Sequence, residues 1–257
     1  MQNANRKTIG ALGKCMKILE VFGPNTPELR LDEIAGLTGI NRSSAQRSVH
    51  TLCQLGYLER QSNRPTYRLS AKVLDLSFAY MRFNDLLKMA APVAVWLANT
   101  SGVRTDVVMR DGNEVVYLLR IPSRSEMFSI SPAGRRWGIL SSAYGRTILA
   151  KLDPAVRDEI TRNAPIIAST GNTVTDRSRI AREIQKAAEQ GYAYQCGEVI
   201  DGAATIASPI VAPDGAPVAA IGLGTTVTEM QNTKTRKKLA NAVVNAARSL
   251  STIYATQ

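Results

Sequence analysis

Histidine is almost missing from this chain: His50 is the single one in 257 residues. A histidine-based catalytic triad, a histidine-rich metal site or a haem ligand would each have to run through that side chain. Cysteine is nearly as scarce. Cys15, Cys53 and Cys196 are odd in number and far apart, and no CxxC occurs. Neither a disulfide framework nor a zinc site is readable, and a reducing, cytoplasmic compartment is expected. Long apolar runs are missing too. The stretch from Ala90 to Ala98 is broken by Pro92 and falls far short of the ~20 residues a membrane helix needs. The segment MQNANRKTIG has no apolar run behind its basic residues, so neither a secretory leader nor a membrane partner is expected. There is no GxSxG elbow, no Walker A loop and no HExxH, so no enzyme, no cofactor and no metal is expected.

Charge is what the chain has in excess. Hydrophobic residues make up 44% and charged residues 21%, the composition of a globular protein with a proper core. The length fits one large domain or two modest ones. Thirty-two Lys and Arg against 21 Asp and Glu leave +11. An excess of that size points to nucleic acid, a membrane surface or an acidic ligand. It is unevenly placed. Residues 1–72 hold 11 basic and 5 acidic side chains, and residues 73–257 hold 21 and 16. Between Asn41 and Lys72, Arg42, Arg47, Arg60, Arg64, Arg68 and Lys72 face Glu59 alone. That asymmetry is a nucleic-acid signal.

Local patterns in the same stretch agree. From Ala11 to Phe22 the apolar stripe Leu12, Cys15, Met16, Leu19 and Phe22 predicts a helix, ended by Gly23-Pro24. Leu31–Leu37 predicts a second helix. Asp32 and Glu33 sit where its dipole favours acids, and Gly39 is placed to close it in a left-handed conformation. Asn41 is a strong N-cap for a third helix running from Arg42 to about Leu55. Its inward stripe is Ala45, Val49, Leu52 and Cys53. Arg42, Ser43, Gln46, Arg47 and His50 face outward, and Ser44 joins them as a candidate DNA contact. Two helices joined by a tight glycine turn, the second offering Arg, Ser and Gln to base edges, read as a helix-turn-helix for double-stranded DNA. The runs Tyr57–Gln61 and Thr66–Leu69, joined by Ser62-Asn63-Arg64-Pro65, read as a hairpin wing with Arg64 at its tip for phosphate or minor groove. His50 is expected near the DNA backbone.

The second half reads as α+β. Ala71 to about Phe83 predicts a helix that is apolar on more than one side, which wants a partner chain. Leu86–Asn99 predicts another, interrupted and kinked at Pro92 and ended by Gly102. Arg104–Arg110 and Glu114–Ile121 form a hairpin around Asp111-Gly112-Asn113. Ser142–Leu152 and Asp176–Gln190 read as helices, Tyr192–Gln195, Thr205–Val211 and Val218–Thr225 as strands, and Thr233–Ala255 as a terminal helix. One central antiparallel sheet flanked by helices is expected. Gly222-x-Gly224 lies inside an apolar strand, not before a helix, so a dinucleotide fingerprint fails. Either a ligand or another backbone approaches there, or the pair serves packing.

The stretch GKCMKILEVF, LRLDEIAGLTGINRSSAQRSVHTLCQLGYLERQSNRPTYRLSAKVLDL resembles the N-terminal domain of the IclR family of bacterial transcriptional regulators. AAPVAVWLANTSG, SSAYGRTILAKL and GYAYQCGEVIDGAATIASPIVAPDGAPVAAIGLG continue it in the family's order. The resemblance implies a winged helix-turn-helix over residues 1–72, a linker helix over 73–90 and a GAF- or PAS-like effector and oligomerisation domain over 91–257. It implies a homodimer or homotetramer on repeated operators, repressing or activating a catabolic operon. It also implies a small organic acid effector held by Ala143, Tyr144, Gln195, Thr205, Gly222 and Gly224. The chain departs from the pattern of small-acid binders: Gln195 stands where they have an acid, glycines where they have serines, and Tyr144 where they have a small residue. Glycine for serine removes volume and hydroxyls, so room for a flat ring and an aromatic acid are expected. Trp137 and Tyr144 would line it, and Ser141, Ser142 or Thr205 would hydrogen-bond it. Arg135, Arg136 and Arg146 are candidate counter-charges, and helix amides near Ser142 a further anion site. Two rivals stand beside this reading: a DNA-binding regulator that senses nothing, and an enzyme with an accessory DNA-binding domain.

Overall fold

The computed structural model describes residues 9–123 and 133–256. The chain divides between Phe83 and Asn84 into two compact units. The first contains α1 (Gly10–Glu20), β1 (Leu29–Arg30), α2 (Leu31–Thr38), α3 (Arg42–Gln54), β2 (Leu58–Arg60), β3 (Thr66–Leu69) and α4 (Val73–Phe83). Its core gathers Ile18, Phe22, Leu29, Ile34, Ala45, Val49, Leu52 and Leu58. The buried stripe of α1 is centred on Ile18, and Leu12 and Met16, expected inside, are 61% and 47% exposed. The helix is rotated from the expected face, because Ile18 is the residue that meets the core.

Local chemistry places the helix-turn-helix. The Arg30 amide donates to the Glu33 carboxylate at 2.6 Å, and Gly39 closes α2 at φ +68, a conformation glycine adopts without steric cost. The Asn41 side chain accepts from the Ser44 amide at 2.9 Å and starts α3. The wing is a three-stranded antiparallel sheet in the order β1-β3-β2. The two residues of β1 are too few to show any period, and no strand was expected there.

The second unit contains α5 (Asp85–Ser101), β4 (Arg104–Asp111), β5 (Glu114–Ile121), β6 (Arg136–Gly138), α6 (Ala143–Leu149), α7 (Pro154–Asn163), α8 (Arg177–Gln190), β7 (Ala193–Cys196), β8 (Ala203–Val211), β9 (Pro217–Thr226), α9 (Val227–Gln231) and α10 (Thr233–Tyr254). Its strands form one antiparallel sheet in the order β6-β5-β4-β9-β8-β7. The α+β layering is the expected one. Because strand side chains alternate between faces, Ala219, Ile221 and Leu223 of β9 pack with α5 and α10. Val108, Tyr117, Ala207 and Ala220 pack with α6, α7 and α8 on the other face.

Several expectations need correction. Asn84 caps α5 through the Leu87 amide at 3.0 Å, so residues 73–90 are not one helix but α4 and the start of α5. Pro92 does not interrupt α5, which runs on to Gly102 at φ +76. Proline forfeits one helical hydrogen bond, and buried Ala90, Ala94, Leu97 and Ala98 keep the helix seated. The helix expected over Ser142–Leu152 ends at Leu149. Asp153 then caps α7, with Pro154 in its first turn, where a missing N–H costs nothing. The short elements β6, α7 and α9 were not expected.

Candidate functional site

Two surfaces carry the expected chemistry, one in each unit. On α3, Arg42, Ser43, Gln46, Arg47 and His50 are all exposed, at spacings that put them on one helical face. Arg64 is exposed in the turn between β2 and β3. Arg42 pairs with Asp32, but both side chains are about two-thirds exposed and such a pair is weak enough for phosphate to displace. Ser44 is corrected. It is 8% exposed, and its hydroxyl lies 3.3 Å from the Arg47 guanidinium and 3.4 Å from the Lys14 ammonium. It steadies Arg47 from behind rather than facing outward. Lys14 was missed, because α1 was read only for its apolar stripe.

The second site lies on the sheet face covered by α6. Asp106 of β4 is fully buried. It accepts from Arg120 Nε at 2.6 Å and Arg120 Nη2 at 3.1 Å, from Arg104 Nε at 3.1 Å and from the Tyr144 hydroxyl at 2.9 Å. Burial, then the Asp106 carboxylate, pushes the Tyr117 and Tyr144 pKa values well above the ordinary tyrosine range. Both hydroxyls therefore stay protonated, and Tyr144 remains a donor. The two rings meet edge to face at 5.6 Å. The Arg135 guanidinium stacks 4.4 Å from the Trp137 ring.

A cavity opens beside this cluster. It brings together Trp137, Ser142, Tyr144, Gln195 and Thr205 of the expected residues, with Arg104, Tyr117, Arg120, Arg135, Val199 and Ile200. Ser141 and Ala143 are buried but do not line it. Ser142 caps α6 by accepting from the Tyr144 amide at 3.2 Å, so its hydroxyl already serves the helix.

Of the two readings of the glycine pair, packing is the one its surroundings support. A Cβ on Gly222 would collide with the Tyr144 ring, and one on Gly224 with the Arg104 guanidinium. The space that glycine vacates is taken by the protein's own side chains. What remains is a small cavity of about 30 Å³. Two candidate counter-charges are also committed elsewhere. Arg146 is buried and bidentate to Glu198 at 2.8 and 2.6 Å, and Arg136 is exposed and tied to Asp111 and Glu114. Arg135 alone of the three lines the cavity.

Arg104, Asp106 and Arg120 were missed although a signal existed. Period-2 alternation puts Arg104 and Asp106 on the same face as Val108, but counting from the turn would set Asp106 opposite Leu119, and a β-bulge at Val107/Val108 brings Arg120 there instead. A carboxylate on the buried face of a strand requires a partner.

Residues 11–62 match the family model described as the IclR helix-turn-helix domain, and residues 78–252 the one described as the bacterial transcriptional regulator IclR C-terminal domain. The HTH-type transcriptional regulator KipR of Bacillus subtilis (strain 168) is 29% identical over 210 residues, 82% of each chain. The p-hydroxybenzoate hydroxylase transcriptional activator of Acinetobacter baylyi is 28% identical over 219 residues, 83% of this chain and 80% of that one. Among solved structures, an IclR homologue from Microbacterium hydrocarbonoxydans complexed with 4-hydroxybenzoate superposes with a TM-score of 0.77. It is 23% identical, covering 95% of this chain and 98% of that one.

Proposed function

The chain belongs to the IclR family of bacterial transcriptional regulators, and on that premise we propose that its second unit senses a small aromatic acid and adjusts the DNA affinity of its first. As a member of the family it is a DNA-binding transcriptional regulator, not an enzyme. In the proposed division of labour, the winged unit reads DNA through Arg42, Ser43, Gln46, Arg47, His50 and Arg64. Two copies or four place their recognition helices on repeated half-sites.

The observation that carries the effector reading is the lining of the cavity on β4, β5 and β8. Three aromatic rings, Tyr117, Trp137 and Tyr144, and three guanidiniums, Arg104, Arg120 and Arg135, share one small wall. Rings complement a flat apolar body, and three guanidiniums, two of them sharing the single carboxylate of Asp106, leave positive charge to complement a second carboxylate. The relative named for p-hydroxybenzoate hydroxylase and the neighbour holding 4-hydroxybenzoate support the same class of ligand.

An acid of that size exceeds the 30 Å³ between these walls, so binding must move one of them. Tyr144 is fixed from two sides, by Asp106 and by Gly222. Val199 and Ile200 stand in the segment joining β7 to β8, and Ile200 is 45% exposed. That segment is the wall we expect to shift. Its differential contacts with the bound acid would be the coupling free energy passed to the DNA-reading unit. Calorimetric titration of the whole chain with benzoate, 4-hydroxybenzoate, glyoxylate and pyruvate tests the reading. Heat of binding is expected for the aromatic acids. Tight glyoxylate or pyruvate with silent aromatic acids would sink it.

A further inference from the structure

The charge left over outside the DNA-reading unit is confined to one helix. Residues 73–257 exceed their acids by five, and the segment from Met230 to Gln257 holds five basic side chains and no acid. Lys234, Arg236, Lys237, Lys238 and Arg248 therefore account for the whole surplus, and residues 73–229 are neutral on balance.

These side chains do not share one environment. Arg236 donates to the Met230 carbonyl at 3.1 Å and stacks over Tyr194, so it is structural. Lys234, Lys237, Lys238 and Arg248 are exposed, and none is in an ion pair with a described residue. At 3.6 residues per turn they fall on one stripe of α10 with Asn241, Asn245 and Thr252, all exposed. The opposite side, Leu239, Ala240, Val243, Ala246, Ala247 and Leu250, is buried against the sheet. From Lys234 to Arg248 the stripe runs about 21 Å. Its first lysine sits in the first turn, where the helix dipole disfavours a cation, so helix stability does not explain the pattern.

We propose that this stripe of α10 is a second, sequence-independent surface for the phosphates of double-stranded DNA. The proposal rests on the reading of the chain as a DNA-binding regulator. The stripe offers ammonium, guanidinium and amide donors and no carboxylate, which suits a phosphate backbone. It has neither an aromatic nor an aliphatic side chain, while protein interfaces are depleted in lysine and built on such anchors. A second copy of the same face would oppose cation to cation. DNA already held by the winged unit meets this surface at the local concentration that tethering sets, so weak contacts suffice.

The test is the salt dependence of binding by the full chain to a random-sequence 40-base-pair duplex. The variant K234Q/K237Q/K238Q/R248Q changes exposed side chains only. The matched control K151Q/R162Q/R182Q/K186Q removes four exposed charges from other elements of the same unit. The slope of log affinity against log salt changes by about 0.9 for each phosphate contact. The α10 variant is expected to lose about 2 to 4 from that slope, while the control keeps it and both melt as the parent does. An unchanged slope in the α10 variant, or an equal fall in the control, would overturn the proposal. So would an unchanged slope with lost transcriptional output, which would assign the stripe to an acidic protein. A parent chain that binds no duplex even at low salt would overturn the DNA-binding reading itself.

Discussion

A carboxylate with no exposure persists in a sheet only when its oxygens are answered by donors. Asp106 is answered by two arginines and a tyrosine, and those partners decide the shape of the cavity. Arg104 occupies the space over Gly224 and Tyr144 the space over Gly222, so one acid holds both occupants in place. Asp106→Ala would remove the carboxylate that Arg120 and Arg104 share, at 13% and 14% side-chain exposure. A cost of about 3–5 kcal/mol is expected, read as a lower denaturation midpoint. Tyr144→Phe removes one donor of several and should cost about 1 kcal/mol. Equal losses in the two variants would mean that the cluster is not organised on Asp106. At this scale the sequence was half legible. Alternation alone put Arg104 and Asp106 on one face of β4, but the bulge that brings Arg120 opposite Asp106 leaves no periodic signal. The glycine pair could not reveal that its vacated volume is filled, because the filling side chains come from distant β4 and α6.

Elements were most legible where a cap and a periodic stripe agree. Asn41 and Gly39 bound the turn of the helix-turn-helix, and both ends of that turn lie where residue chemistry puts them. The same chemistry was misread at Asp153-Pro154. A proline at that point reads as a stop for the helix expected over Ser142–Leu152, yet Asp153 accepts from the Ala155 amide at 2.9 Å and starts α7. A proline following an N-cap starts a helix as well as it ends one. The strands β1 and β6 have two and three residues, too few for any period to appear. The cap of α3 carries a direct prediction. The Asn41 side chain accepts from the Ser44 amide and from the Ser43 hydroxyl at 3.0 Å. Asn41→Ala is expected to cost about 1 kcal/mol in urea-induced unfolding of the chain. It should also weaken duplex binding, because Arg42 and Ser43 stand on the turn it organises. Unaltered DNA affinity in a destabilised variant would show that the first turn of α3 does not contact DNA.

For the whole molecule, composition pointed to nucleic acid, a membrane surface or an acidic ligand, and its partition along the chain favoured nucleic acid: six basic side chains against one acid between Asn41 and Lys72. What composition could not show is an apolar face turned to solvent. No residue of α4 is buried, and Leu74, Leu76, Phe78 and Phe83 are 62–74% exposed. Within the same unit, Leu12, Met16, Leu19, Leu52, Leu55 and Leu76 line an apolar groove of about 750 Å³. Exposed apolar surface of that extent marks an interaction site. A second copy of the chain suits it, since paired half-sites demand two recognition helices at a fixed spacing. Helix periodicity was enough to predict that α4 is apolar on more than one side, and its exposed leucines and phenylalanines agree. The outward turn of Leu12 and Met16 was not predictable, because it depends on which side of α1 meets Ile34 and Val49. If α4 pairs two chains, Leu74→Glu together with Phe78→Glu should shift sedimentation toward smaller species without lowering the melting temperature of the second unit. Binding to a duplex carrying two half-sites should fall by tenfold or more, while binding to a single half-site falls little. An unchanged sedimentation profile would place the assembly contact elsewhere and leave the apolar face of α4 to a different partner.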